Sequence, residues 1–264
     1  LIHTAHDYRM VCPAYTFTDS SGNVCEKCRG KNFYWCAVKR CSKGHLLESL
    51  IMTSEMYFRN SFFSPVNNLD GVIYVSNFSK QKHLQYNAGS SKVSDIVLHN
   101  FVAEKKSDFL AQNKRSYFLY FGRLSHEKGV RTLIEAFRRM PDLQLKIVGI
   151  GPEEQELIDY VRNNKITNIE FMGFKTGDDL KKLVSAASFV IVPSEWYENN
   201  PMTVIEAYSM GVPVIGAKIG GIPEILPDGK TGFLFTPKDA ADLKNVVARA
   251  SQLNEQDYKA MSDN

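Results

Sequence analysis

From residue 117 onward, short unbroken apolar runs alternate with longer stretches in which apolar residues recur every three or four positions. The runs at 117–121, 145–148, 169–171, 189–192, 212–215 and 232–235 predict buried strands. The stretches at 129–140, 153–164, 178–186, 204–210 and 240–249 predict helices. Such alternation predicts a doubly wound parallel sheet. Glycines follow most of the strands, at Gly122, Gly149, Gly151, Gly173 and Gly216, where the chain must turn tightly or let backbone approach a ligand.

Before residue 117 the pattern is less regular. Leu47, Leu50, Ile51 and Phe58 keep helical spacing within 46–63, and Pro65 ends that segment. The aromatic excess there predicts core or interdomain packing. A strand is expected at 71–75, a helix at 76–86 capped by Ser76 or Ser79, and a strand at 96–98. Polar residues 104–114 mark a boundary, so two domains are expected, 1–108 and 109–264. The chain opens without methionine on strand-like sequence and stops in polar, helix-like sequence; it is expected to be a piece of a longer protein.

One stretch concentrates candidate chemistry. Between Ser194 and Gly221, Glu198 and Glu206 stand seven residues apart, and Pro201 predicts a helix start that leaves the backbone N–H groups of Met202 and Thr203 open to an anion. Flanking strands would put both glutamates at the carboxyl edge of the sheet, where open α/β folds bind ligands. Arg123 and Lys128, in the loop 122–129, are placed to neutralise a diphosphate or are simply surface charge. The loop Gly149-Ile150-Gly151-Pro152 is too short for the dinucleotide fingerprint, which speaks against a nicotinamide enzyme. His3, His6 and Asp7 follow the opening strand, where a histidine either faces a ligand or satisfies local hydrogen bonds.

Composition narrows the class. At 264 residues and 44% apolar content the chain can bury an ordinary core, and a net charge of +3 gives no case for nucleic acid. No apolar run approaches the roughly 18 to 20 residues of a membrane span, and no signal segment opens the chain, so a cytoplasmic setting is expected. All five cysteines lie between Cys12 and Cys41. Cys25, Cys28, Cys36 and Cys41 could meet one structural zinc ion, or an iron–sulfur cluster; free or occasionally oxidised thiols are the other reading, with disulfides disfavoured in a reducing compartment. Lys27, Arg29, Lys31, Lys39, Arg40 and Lys43 interleave with Phe33, Tyr34 and Trp35, a loop suited either to an anionic membrane surface or phosphorylated acceptor or to plain solvation.

The motifs FGRLSHEKGV, IVGIGP, the two spaced glutamates, GVPVIGAKIGGIPEIL and DGKTGFLF, in that order, resemble the donor-binding domain of family 4 retaining glycosyltransferases. The resemblance runs from residue 117 to about residue 249, and HTAHDYRMVCP, VSNFSKQ and LHNFV resemble acceptor-domain motifs of the same family more loosely. It implies a GT-B fold, α/β with two Rossmann-like domains facing a cleft, the N-terminal one incomplete and carrying the Cys-rich insertion 12–41.

The resemblance also implies roles. Arg123 and Lys128 would hold the diphosphate as leaving group, in place of the metal that an Asp-x-Asp motif binds elsewhere; no such motif is present. Glu198 would orient the donor sugar, with Asn199 and Asn200 beside it, and Glu206 would take the ribose hydroxyls. Met202 and Thr203 would touch phosphate, Gly149 and Gly151 would let the base settle beside backbone, and His6 would face the sugar. Asn100 falls in the segment leading to the linker. The implied activity is retaining transfer of a hexose from a UDP- or GDP-linked sugar to a hydroxyl of a glycan or lipid-linked acceptor, in surface polysaccharide or glycan biosynthesis. It needs no cofactor, and a lipid-linked acceptor would bring peripheral contact with the inner membrane face. Two alternatives stay open: a nucleotide-sugar epimerase of the same fold, and a non-catalytic nucleotide-sugar-binding subunit working through the cysteines with a partner.

Overall fold

The computed structural model describes residues 1–63, 68–86, 94–102 and 116–263. The stop at Pro65 and the boundary at 104–114 lie outside the described residues. Packing gathers the chain into two compact units, Leu1–Asn100 with Trp196–Asn200, and Phe101–Glu195 with Pro201–Asn264.

In the first unit, β1 (Ile2–Ala5), β2 (Gly71–Tyr74) and β3 (Ser94–Val97) form a parallel sheet in that order. Helices α1 (Tyr34–Val38) and α2 (Leu46–Phe62) lie between β1 and β2, and α3 (Asn77–Tyr86) between β2 and β3. Of the two expected caps, Ser76 serves α3: its hydroxyl accepts the Ser79 N–H at 3.0 Å.

The apolar stripe on α2 departs from expectation. Leu47, Leu50, Ile51 and Phe58 remain 72%, 45%, 61% and 55% exposed, and the helix buries Ser49, Thr53 and Met56 instead. Small hydroxyl residues suit that inward face, because each returns its hydrogen to the preceding turn, Ser49 to the His45 carbonyl at 2.8 Å and Thr53 to the Ser49 carbonyl at 2.7 Å.

The second unit matches the predicted alternation closely. Its strands are β4 (Phe118–Phe121), β5 (Leu145–Val148), β6 (Ile169–Phe171), β7 (Phe189–Val192), β8 (Val214–Ala217) and β9 (Gly232–Phe235). They form one parallel sheet in the order β6-β5-β4-β7-β8-β9. The connecting helices are α4 (Val130–Phe137), α5 (Glu154–Asn163), α6 (Gly177–Ser185), α7 (Met202–Tyr208) and α8 (Ile222–Ile225), followed by α9 (Ala240–Ser251) and α10 (Glu255–Ser262). Every residue of β4 is buried, as a strand covered on both faces requires. Phe118 and Tyr120 pack with Leu133, Ile134 and Phe137 of α4 on one face, and Leu119 and Phe121 with Val204 and Ala207 of α7 on the other.

One boundary moved for an identifiable reason. The strand expected at 212–215 begins at Val214, because Pro213 has no N–H for the ladder, although its carbonyl accepts from Val190 at 3.1 Å. Helix α7 begins at Met202, directly after Pro201, where the proline was expected to start it. The four-residue α8 was not foreseen.

One buried polar side chain joins α4 to the sheet. The Asn168 amide, 3% exposed, donates to the carbonyls of Phe137, Met140 and Leu143 at 3.1, 2.9 and 2.8 Å. Asn168→Ala would leave these buried acceptors short of a donor and is expected to lower unfolding stability by about 3 kcal/mol. Chemical denaturation measures this; a loss below about 0.5 kcal/mol would contradict the assignment.

Candidate functional site

In the second unit, candidate residues collect where the sheet order reverses, with β4 between β5 and β7, the place open α/β sheets reserve for ligands. Three loops are laced together there. The N–H of Leu124 donates to the Ile150 carbonyl at 3.0 Å, that of Glu153 to the Leu124 carbonyl at 3.1 Å, and that of Glu195 to the Glu127 carbonyl at 2.9 Å. The Thr132 hydroxyl donates to the buried Glu195 carboxylate at 2.6 Å.

The glycines serve this lacing first. A Cβ on Gly149 would lie 1.8 Å from the Gly122 carbonyl oxygen, and one on Gly151 would lie 2.1 Å from that of Leu124. Chain therefore occupies the side on which a Cβ would stand at Gly149 and Gly151.

Phe121, Gly122, Arg123, Val148, Gly149, Ile150, Phe174, Lys175 and Leu180 line a pocket of about 360 Å³. Arg123 and Gly149 are thus brought together, while Lys128 lies further along the loop in a short 3-10 helix, His126–Lys128. Phe174 and Ile150 are 65% and 52% exposed. An exposed aromatic ring and two cations, Arg123 and Lys175, make one wall that can take a flat ring and an anion. Phe174 and Lys175 were missed in the sequence, although an aromatic residue just after Gly173, in a loop following a strand, was available as a signal.

Glu198 is not grouped with Glu206. The segment Trp196–Asn200 packs with the first unit, drawn there by its side chains: Asn199 donates to the His6 carbonyl at 2.7 Å and Asn200 to the Val75 carbonyl at 2.8 Å. Asn200 also lies 2.8 Å from His99 Nδ1, and the Asn100 amide donates to its carbonyl at 2.9 Å. His6, Asp7, Tyr8, Tyr15, Val75, Asn100 and residues 196–200 line a pocket of about 110 Å³. Glu198 and Asn200 are 7% and 5% exposed. The side-chain carbonyls of Asn199 and Asn200 are buried without a hydrogen-bond partner. A buried amide oxygen left unpaired costs stability. Tyr15 and Tyr197 were not singled out in the sequence; the Tyr197 hydroxyl donates to Glu26 at 2.7 Å.

The cysteines gather, but not as a ready coordination sphere. Cys12, Cys28 and Cys36 are buried with Phe17 and Phe33, while Cys25 and Cys41 are partly exposed. Among the described residues no group of three or more His, Cys, Asp or Glu side chains stands so that it could hold a metal ion. Cys28 is driven up to about 12, chiefly by burial, with nearby thiols adding to the effect. Lys27 folds back over the Trp35 ring at 4.4 Å. Among the described residues no helix is long and apolar enough to cross a membrane.

Met202 is exposed at the start of α7, with Thr203 half-buried beside it and Glu206 half-buried one turn on. Burial raises the Glu206 carboxyl above its ordinary range. The folded state therefore binds that proton more tightly than the unfolded state, and the ionised side chain detracts from stability as pH rises through the folded titration. Glu206→Gln is expected to melt above the parent at about pH 8 and to converge with it near pH 4, where both carry a neutral side chain. An equal difference at both pH values would contradict this.

Comparison with known proteins agrees with this architecture. Residues 102–264 match the glycosyl transferases group 1 family. An uncharacterized glycosyltransferase of Methanocaldococcus jannaschii is 29% identical over 220 residues, 83% of this chain and 60% of that protein. The sulfoquinovosyl transferase of Arabidopsis thaliana is 34% identical over 127 residues, 47% of this chain and 24% of that protein. Among solved structures, Anabaena HepE in complex with UDP and glucose superposes with a TM-score of 0.68 at 25% identity, over 80% of this chain and 61% of that one. The chain thus spans about 60% of the length of its longest-matching relative here. With its parallel sheet, its pocket at the carboxyl ends of β4 and β5 and a family match over more than half its length, this chain belongs to the glycosyl transferases group 1 family, of GT-B fold.

Proposed function

We propose that the protein transfers a hexose from a nucleoside diphosphate sugar to a hydroxyl acceptor with retention of anomeric configuration. The observation that carries this reading is the pocket of the first unit, whose lining by His6, Asp7, Tyr15, Asn100 and Glu198 offers polar side chains to a ligand rich in hydroxyl groups. A sugar has that chemistry. The pocket of the second unit supplies what a nucleotide needs, a ring-sized apolar wall at Phe174 and Ile150 beside the guanidinium of Arg123. That Anabaena HepE was solved in complex with UDP and glucose supports a nucleotide-sugar ligand for this fold.

In this reading Arg123 and Lys128 meet the charge that grows on the departing diphosphate, as preorganised donors. Glu206 takes the ribose hydroxyls, which a carboxylate can accept in pairs. His6 and Glu198 position the sugar, and the leaving phosphate accepts the proton of the acceptor hydroxyl, so no covalent nucleophile is called for. The acceptor is a glycan or lipid-linked glycan, and a lipid-linked one would place the protein at a membrane surface during turnover.

Lys128→Ala is expected to slow transfer by about a hundredfold to a thousandfold, a barrier increase of about 3 to 4 kcal/mol. Single-turnover transfer from radiolabelled UDP-glucose or GDP-mannose, at donor levels that saturate the variant, reads this. A variant that binds nucleotide normally and turns over at the parent rate would overturn the role of Lys128.

A further inference from the structure

Beside the sugar-facing pocket the first unit holds a second cavity. His3, His6, Asp7, Arg9 and Arg59 line it together with Met10, and its volume is about 350 Å³, at the lower end of the size range of small-molecule sites. His6 and Asp7 belong to both cavities. Arg9 stands near that shared wall, its guanidinium 5.1 Å from the ring of Tyr15, which lines the sugar-facing pocket.

Chain order explains why these groups meet. His3 lies on β1, and His6, Asp7 and Arg9 follow in the turn that leaves the strand. Arg59 comes from the last turns of α2, three residues after the fully buried Met56, so the two share one side of the helix. The Arg59 guanidinium donates to the Arg9 carbonyl and touches the Met56 sulfur. A side chain anchored in this way is in place before a ligand arrives, which lowers the ordering cost of binding.

Among the lining side chains two guanidinium groups and two imidazoles face one carboxylate. Asp7 lies 3.1 Å from Arg9 Nε and accepts the Arg9 backbone N–H at 2.9 Å. Glu55 lies 3.4 Å from Arg59 Nε, and its side chain is 55% exposed, so solvent weakens that pair. Both carboxylates sit at the Nε edge of their arginines, and a guanidinium has five N–H donors. The terminal fork of Arg9, whose side chain is 69% exposed, is left for a ligand. Two planar forks suit the oxygens of a phosphate better than the hydroxyls of a neutral sugar, and the histidine rings add N–H donors.

We infer, on the transferase reading above, that this cavity seats the acceptor and that Arg9 and Arg59 bind a phosphate group carried by it. With the donor sugar in the adjoining pocket, an acceptor held here presents its hydroxyl to the anomeric carbon past His6. The new bond forms from that hydroxyl oxygen, the bond to the diphosphate breaks, and the proton goes to the leaving phosphate. Arg9 and Arg59 hold the acceptor and do not react. The ligand chemistry is a phosphate ester with a free hydroxyl, supplied by a soluble polyol phosphate or by a phospholipid head group.

Titration of the intact chain with glycerol 3-phosphate, followed through the His3 and His6 imidazole NMR signals, tests this. Both signals are expected to shift, glycerol is expected to leave them unmoved, and binding is expected to persist in the presence of UDP, GDP or ADP. Arg9→Gln and Arg59→Gln are each expected to weaken binding about tenfold. Melting curves separate a lost site from a lost fold, and the exposed Arg9 gives a variant that leaves the α2 anchor intact. Equal binding of glycerol, displacement by nucleotide, or unchanged affinity in both variants would overturn the site. Vesicles of phosphatidylglycerol and of phosphatidylcholine separate the two sources: Arg9- and Arg59-dependent binding to the first alone supports a lipid head group, and binding of the soluble ester alone supports a polyol phosphate. Loss of phosphate binding with nucleotide binding intact overturns the acceptor site and spares the transferase reading. Phosphate binding without binding of any nucleotide overturns that reading, and the acceptor role with it.

Discussion

Backbone lying directly on backbone is the constraint on which the second unit depends. The turns that leave β4, β5 and β7 approach so closely that no side chain fits between them. A Cβ on Gly129, which holds a left-handed φ of +68°, would stand 2.0 Å from the Pro193 carbonyl oxygen, and one on Gly149 would stand 1.8 Å from that of Gly122. Carbonyl–amide bonds from Leu124 to Ile150 and from Glu195 to Glu127 then lock the loops as one body. Arg123 and Phe174 are held on that body, so the nucleotide-sized pocket inherits its rigidity from chain packing, and little is left to be ordered when a ligand arrives.

The first unit solves a different problem. Its site residues come from distant parts of the chain, His6 after the first strand, Asn100 after the third, and Glu198 with its two asparagines from a segment nearly a hundred residues further on. Side-chain amides do the joining, those of Asn199 and Asn200 each donating to a backbone carbonyl. The Cys-rich segment supports that arrangement from behind, through Glu26 and Tyr197.

Much of the second unit was legible because local pattern and tertiary environment agree there. A strand such as Phe189–Val192 is apolar throughout since both its faces are covered, and the helices show one buried side. Legibility failed where packing overrode pattern. Leu47, Leu50, Ile51 and Phe58 read as an apolar stripe at helical spacing, yet the hydroxyl-bearing side of α2 turned inward. Glu198 and Glu206 read as one constellation by their spacing, but the amides of Asn199 and Asn200 bring the first glutamate to the other unit. Gly149 and Gly151 were recognised as necessary, though chain contact, which sequence spacing does not reveal, is what requires them.

The most direct test of the account is calorimetric titration of this chain with UDP, GDP and ADP, alongside Glu206→Ala. The account predicts that one of the three binds clearly better than the others, and that the substitution weakens that nucleotide about tenfold, a difference of about 1.4 kcal/mol. Absence of binding by all three, or equal affinity in parent and variant, would contradict it.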